Sequence, residues 1–318
     1  MQVFWFKDSK IGHLKQVNAL LDELEKDITF KVVPIEDDDI ETYEDEALLL
    51  DCEETILLIG AGHSTYPKIL KLQKRFKKKY KGKLISVAIL RPSKNIKSFT
   101  IVYAPQHDFN KKKIPDNVIT FQGSLASPSY SKPEINKAVI AIGGLSKHYK
   151  FDSKILMKQL HYILSMHQHY NFKIFNSRRT PAIVNKKIQR ELREYKNIEF
   201  IDCQNKFSES LKARLESSIL KFVTPDSSNL VFESLSTVGK TYLIQVEHPS
   251  YRRWFGAKKI RSSMGELVNS KRVGVVSVIS KKSGVNISSI TNPSIGLEPM
   301  AEIEKVAFSL IKIIKNFS

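Results

Sequence analysis

The sequence predicts an α/β protein of two domains, each a mostly parallel sheet covered by helices. Short apolar runs alternate with longer amphipathic segments throughout, the order that a parallel sheet with crossover helices requires. The 318 residues exceed what one core usually organises, and 42% of them are hydrophobic, enough to build two. Between the two series lies Ser-Leu-Ala-Ser-Pro-Ser-Tyr-Ser-Lys-Pro-Glu-Ile-Asn-Lys, which begins at Ser124, has no periodicity and carries the Ser and Pro of a linker.

In the first series Gln2 to Phe6 reads as a strand and Gly12 to Lys26 as a helix, with Leu14, Val17, Leu20, Leu21 and Leu24 at helical spacing. Strands are expected at Thr29 to Pro34, Thr55 to Gly60, Leu84 to Leu90, Thr100 to Tyr103 and Asn117 to Phe121, with a helix over Tyr66 to Tyr80. The second series reads as strand Lys137 to Ile142, helix Asp152 to Gln168, strand Phe172 to Asn176, helix Pro181 to Tyr195 and strand Ile198 to Asp202. Helix Lys206 to Ser217, strand Leu220 to Thr224, helix Ser227 to Thr237 and strand Thr241 to Val246 complete it. Tyr251 to Ser294, rich in Lys, Arg, Ser and Gly, reads as irregular, and an amphipathic helix over Pro299 to Phe317 closes the chain. The expected division is 1–128, a linker over 129–136, 137–298, and a terminal helix over 299–318.

Lys plus Arg number 51 against 33 Asp plus Glu, a formal charge of +18, which favours an anionic partner. The two cysteines, Cys52 and Cys203, are far apart and form no CxxC pair, so neither a disulfide framework nor a zinc site is expected. The N-terminus lacks a basic stretch before its apolar run, and no run of about 18 apolar residues occurs. A cytoplasmic protein without a signal peptide or membrane span is the expectation.

In open α/β sheets ligands bind beyond the carboxyl ends of the strands, which makes the strand-end loops the places to search. Gly143-Gly144-Leu145-Ser146-Lys147-His148-Tyr149 follows one strand; its glycines let backbone N–H groups approach an anion and Lys147 adds a counter-charge, unless the pair is only a tight turn. Ser177-Arg178-Arg179-Thr180-Pro181 follows another and sets two arginines at a helix start, where phosphate is attracted. Asp226-Ser227-Ser228-Asn229, with Glu233 one turn on, offers groups for ribose or diphosphate, although Asp and Ser there also suit an ordinary helix cap. In the first loop, Asp8-Ser9-Lys10-Ile11-Gly12-His13, His13 is a candidate base whose unperturbed pKa lies near neutrality; Asp8 and Asp108 compete for the role. Gly62 and His63 line another strand exit and, with Gly12, are read as acceptor-side residues.

Other motifs fail on context. Val238-Gly239-Lys240-Thr241 has Ser234 where a phosphate-binding loop needs glycine and leads into a strand. Asp37-Asp38-Asp39 sits in an acidic stretch, and His161, His167 and His169 lack a matching carboxylate, so no metal site is expected. Residues 71–83 hold eight lysines and arginines and are read as a contact for an anionic membrane surface, the bland alternative being a solvated helix face. No helix-turn-helix, RRM or OB signature is present, and nucleic acid is not an expected partner.

Taken in order, these strings resemble the mitochondrial-fission-protein-like family of bacterial GT-B glycosyltransferase-like proteins. The likeness spans nearly the whole chain. It rests on Lys10-Ile11-Gly12-His13-Leu14-Lys15-Gln16, Ala61-Gly62, Pro105-Gln106-His107-Asp108 and Asn117-Val118-Ile119-Thr120 in the first half. In the second half Gly143-Gly144-Leu145-Ser146-Lys147-His148-Tyr149, Ser177-Arg178-Arg179-Thr180-Pro181 and Asp226-Ser227 through Glu233 carry it. His63, Thr241 and Ser228-Asn229 depart from the family pattern. The resemblance implies two Rossmann-like domains facing each other across a cleft, with the C-terminal helix able to cross back to the first. It also implies metal-independent transfer of a sugar from a nucleotide-sugar, with no further cofactor, to a lipid-linked or glycan acceptor of the cell envelope. Gly143, Gly144, Ser146, Lys147, Ser177, Arg178, Arg179, Thr180, Asp226, Ser227, Ser228 and Glu233 would hold the donor. A non-catalytic scaffold of the same fold and a nucleotide-sugar epimerase are the alternatives.

Overall fold

The computed structural model describes residues 1–36, 54–109, 112–146, 149, 151–205, 209–246, 263–280, 286–294 and 297–316. Lys147, His148 and the acidic Asp37-Asp38-Asp39 stretch lie outside the described residues. The chain divides into two compact units, Met1–Ser127 with Ala301–Ser318, and Pro128–Met300.

The first unit contains β1 (Gln2–Phe6), α1 (Ile11–Glu25), β2 (Lys31–Ile35), β3 (Ile56–Ala61), α2 (Tyr66–Lys79), β4 (Leu84–Ile89), β5 (Ile101–Pro105) and β6 (Val118–Phe121). Its sheet has the order β2-β1-β3-β4-β5-β6, with every neighbouring pair parallel. The central β3, Ile-Leu-Leu-Ile-Gly-Ala, is buried at every position, as a strand covered on both faces must be. The helix α2 turns Tyr66, Ile69, Leu72, Gln73 and Phe76 into the core and ends on Lys77, Lys78 and Lys79, charges that suit a helix C-terminus.

The last helix, α7 (Glu302–Lys315), belongs to this unit. Ile303, Val306, Ala307, Leu310 and Ile314 pack into the same core as Val17, Leu20, Leu21 and Leu24 of α1. Its N-terminal Glu302 accepts from the Gln122 amide at 2.9 Å, and Ser309 meets the Tyr103 hydroxyl at 3.2 Å. At the other end the Lys83 ammonium donates to the Ile314 carbonyl.

The second unit contains β7 (Glu134–Ala141), α3 (Ser153–Met166), β8 (Asn171–Phe175), α4 (Ala182–Glu191), β9 (Ile198–Ile201), α5 (Leu211–Ser217), β10 (Ser218–Val223), α6 (Ser228–Leu235), β11 (Lys240–Ile244), β12 (Gly274–Ser280) and β13 (Asn286–Thr291). The order is β13-β12-β11-β10-β7-β8-β9, parallel except for β13. Two expectations are corrected here. β7 starts at Glu134, inside the segment read as linker. Tyr251 to Ser294 is not irregular throughout: residues 263–269 are helical, and β12 and β13 extend the sheet. Their serines misled the sequence reading, because Ser277 and Ser289 pair across the strands at 2.8 Å on an exposed face where hydroxyls serve as well as apolar groups.

Candidate functional site

Each sheet reverses its strand order at one point, and each reversal gathers the residues singled out above. In the first unit the reversal lies between β1 and β3, in the second between β7 and β10.

Beyond β1, Asp8 accepts the Lys10 amide on Oδ1 at 3.0 Å and meets His13 Nδ1 with Oδ2 at 2.6 Å. Asp8 is 9% and His13 18% exposed, so the pair is held in place yet reaches solvent. Asp8 and His13, read as rival bases, are partners: the carboxylate accepts from Nδ1–H, which leaves Nε2 as the basic nitrogen. Gly62 closes over them from the end of β3. Its φ is +96°, and a Cβ there would meet the His13 ring and come within 2.9 Å of Asp8 Oδ2. Only glycine satisfies both demands.

Tyr66, which the sequence reading used only as a helix start, locks this loop. Its buried hydroxyl accepts from the Gly62 amide at 3.1 Å and reaches the Ile89 and Leu90 carbonyls at 2.7 and 2.9 Å. Burial pushes its pKa well above the usual phenol value, and the charges of Asp108 and Asp8 add to the rise. His63 is exposed and sets its ring edge-on to Tyr66, centroids 5.7 Å apart. Asp108 lies in a 3-10 turn, Gln106–Phe109, after β5, and its carbonyl accepts from Arg91 at 2.9 Å. Gly12 occupies the first turn of α1, where its carbonyl accepts from Gln16 at 3.2 Å.

In the second unit the loop amides expected to cradle phosphate are already bonded. Gly143 N–H donates to Thr224 Oγ1 at 2.8 Å and Gly144 N–H to Asp226 Oδ2 at 2.9 Å. Thr224 donates to Asp226 Oδ1 at 2.6 Å, and Arg179 bridges Asp226 at 3.1 Å and the Leu145 carbonyl at 3.2 Å. The Asp226 side chain is 0% exposed. Burial raises its pKa, opposed by bonds from Thr224 and Gly144 and by the Arg179 charge. The glycine pair is therefore explained by packing: a Cβ on Gly143 would strike Asp226, and one on Gly144 the backbone of Arg179 and Thr180.

The hydroxyls are committed in the same way. Thr180 Oγ1 accepts the Ser177 amide at 2.8 Å and lies against the Ile142 and Gly143 carbonyls. Ser177 Oγ accepts from Arg179 N–H at 3.3 Å, Ser146 Oγ from Tyr149 N–H at 3.2 Å, and Ser227 caps α6 through Leu230 N–H at 3.4 Å. Ser228 opens α6, and Glu233 stands partly buried on it. Arg178 is different: it is exposed and makes no hydrogen bond or ion pair among the described residues.

A hollow of about 550 Å³ adjoins this network through Pro225 and is lined by Tyr149, Leu243, Gln245, Met264 and Asn269 among others. It lies beyond the carboxyl ends of β10 and β11, with an apolar wall and a few amide groups, the make-up of a small-molecule site. Among the described residues no group of three His, Cys, Asp or Glu is placed to hold a metal ion, and no helix is long and apolar enough to cross a membrane.

The mitochondrial fission ELM1 family model matches residues 11–312, a span that includes the second switch-point site and, of the first, His13 and Gly62 but not Asp8. The chain belongs to the mitochondrial fission ELM1 family. No curated protein sequence matches this ELM1-family chain significantly. Among solved structures it is similar to a protein assigned as a UDP-N-acetylglucosamine 2-epimerase from Listeria monocytogenes, with TM-score 0.54, 12% identity, and 100% of this chain and 96% of that one covered. It also matches the UDP-GlcNAc 2-epimerase of Neisseria meningitidis bound to UDP-GlcNAc, with TM-score 0.46, 12% identity and 99% and 100% covered. A third match is the pneumococcal O-GlcNAc transferase GtfA in complex with UDP and GlcNAc, with TM-score 0.43, 9% identity and 74% and 53% covered. Of these three the Listeria structure alone is similar enough to bear on the ELM1-family chain, and at that identity it bears on fold. Two Rossmann-like units in one chain give the ELM1-family protein the GT-B fold.

Proposed function

We propose that this protein is a metal-independent glycosyltransferase that takes a nucleotide-sugar on its second unit and receives a cell-envelope glycolipid or polysaccharide precursor on its first. The observation that carries the reading is the Asp8–His13 pair at the first switch point, 2.6 Å apart. A sugar-acceptor hydroxyl is a poor nucleophile until its proton leaves, and an imidazole oriented by a carboxylate accepts one near neutral pH. In the transfer His13 Nε2 takes the hydroxyl proton as the acceptor oxygen bonds to the anomeric carbon, and the bond from that carbon to the nucleoside diphosphate breaks. Arg178 supplies positive charge for the leaving diphosphate, and the hollow beside Pro225 receives the nucleoside. No cofactor besides the nucleotide-sugar substrate enters the scheme.

The exposed face of α2 and the residues after it, with Lys71, Lys74, Lys77, Lys78 and Lys81, suits an anionic membrane surface that would carry a lipid-linked acceptor. In this reading the protein works in the cytoplasm, peripheral to the membrane. The named activity of the Listeria neighbour supports one second reading, epimerisation of a free nucleotide-sugar. Thermal melting against UDP-, GDP-, ADP-, CMP- and dTDP-sugars tests the donor half, since a ligand at about 100 times its Kd stabilises by about 2.7 kcal/mol. One nucleotide should raise Tm in the wild type and not in Arg178→Ala; no response from any of them would favour a scaffold without chemistry. Conversion of the bound sugar with no acceptor present would favour the epimerase.

A further inference from the structure

Arg91 follows β4 on the carboxyl edge of the first sheet, immediately after Leu90, whose φ of +73° turns the chain sharply. Its guanidinium is fixed in two ways. Nη1 donates to the Asp108 carbonyl at 2.9 Å, and the group lies over the Phe109 ring, 4.8 Å from its centroid. Its Nε is buried and has no acceptor, and among the described residues no carboxylate lies within ion-pairing distance of it. Burying part of a charged group without a counter-charge costs stability unless something repays it on binding.

The neighbourhood is continuous with the Asp8–His13 pair. Leu90 shares its carbonyl with the Tyr66 hydroxyl, Tyr66 holds Gly62, and Gly62 packs on His13 and Asp8. A planar, immobilised guanidinium with an unused donor matches the paired oxygens of phosphate or carboxylate. We infer that Arg91 forms an anion subsite on the acceptor unit, which binds a phosphate or carboxylate group of the acceptor next to the base. This rests on the transferase reading for its purpose, but not for its test.

The test is a titration of the full chain with inorganic phosphate, pyrophosphate and acetate at constant ionic strength, following the Arg91 Nε–H proton–nitrogen resonance, identified as the peak missing in Arg91→Lys. Saturable movement of that peak with phosphate or pyrophosphate, retained in Arg178→Ala, is the expected result; movement with acetate alone would assign the subsite to carboxylates instead. Movement lost in Arg178→Ala, or none with any of the three anions, overturns the proposal. A second readout is the anion-induced rise in Tm, expected to fall at least threefold in Arg91→Gln, with Arg91→Lys read the same way if the glutamine variant does not fold. An unchanged rise in the folded variant also overturns it. Because no nucleotide-sugar is present, the subsite can fail while Arg178-dependent donor binding stands, and the reverse.

Discussion

Replacing Asp226 by alanine removes one acceptor from three donors: the Gly144 amide at 2.9 Å, the Thr224 hydroxyl at 2.6 Å and Arg179 at 3.1 Å. The first two are buried, and leaving each without a partner costs about 1–3 kcal/mol. Arg179, 46% exposed, turns to water and adds about nothing. The second unit should therefore lose about 2–6 kcal/mol, a large part of the roughly 5–15 kcal/mol that holds a domain. Asp226→Asn should lose less, because one acceptor oxygen remains while its amide faces donors. Hydrogen exchange in peptides from β7 reads this unit by itself, which matters because the two units need not unfold together. The pH dependence follows from the raised pKa. A carboxyl that holds its proton more tightly when folded makes the native state the better proton binder between the unfolded and folded values. The stability of wild type relative to Asp226→Asn should then fall as pH rises through that window and stay level above it. A loss below about 0.5 kcal/mol in Asp226→Ala, or a relative stability that rises with pH, would refute the placement of this carboxylate.

Three further outcomes separate chemistry from packing. Arg178→Ala should leave chemical denaturation of the second unit within about 0.5 kcal/mol of wild type while abolishing the nucleotide-sugar shift, whereas Arg179→Ala should lower stability because it bridges Asp226 and Leu145. With donor and acceptor in hand, His13→Gln should lower kcat by about 10²–10⁴-fold; Asp8→Asn should lower it less, and normal turnover in either variant would remove the pair from the mechanism. Lys221→Met should cost about 1–3 kcal/mol, since the buried ammonium donates to the carbonyls of Ser234, Thr237 and Val238 at 3.1, 2.8 and 2.8 Å. Burial, with Arg272 adding to it, lowers the Lys221 pKa to about 7. Urea titrations should therefore show wild type gaining on the variant as pH rises from about 7 towards the unfolded lysine value near 10.4.

Strand periodicity and strand-end loops were the legible part of the molecule. β1 and β10 could be read because their apolar runs are buried on both faces and bounded by polar turns. β13 could not, since an antiparallel edge strand with exposed serines carries no such run, whereas the valines of β12, an inner strand beside β11, were a readable signal that the surrounding Lys, Ser and Gly obscured. The site divides in the same way. Residues eight to thirteen contain both members of the Asp8–His13 pair, so proximity in sequence could nominate both, although not as partners. Asp226 meets Gly144 across 82 residues, and periodicity holds no information about which loop amide a distant carboxylate will take. Arg91 was open to the strand-end rule, because it directly follows the expected strand Leu84 to Leu90, but a single arginine before proline bears no motif.

The two switch points use the same topological position in different ways, and this bears on how anions can be recognised. At the first, the Asp8 carboxylate takes the Lys10 amide and one nitrogen of the His13 imidazole, and the other ring nitrogen stays outside the pair. At the second, the network closes on itself: both glycine amides, the Thr180 and Thr224 hydroxyls and Arg179 are partnered within the unit. A diphosphate approaching the Gly143-Gly144 loop would have to displace Asp226 from Gly144 and would meet a carboxylate, a repulsion that Arg179 offsets only by remaining where it is. Under the proposed function, anion recognition in this unit would then fall to cations at its edge, with Arg178 foremost, more than to a glycine cradle. Binding through an exposed cation is screened within about 8–10 Å at physiological ionic strength. Donor affinity should accordingly weaken as salt rises, whereas a cradle of oriented amides would hold it nearly constant.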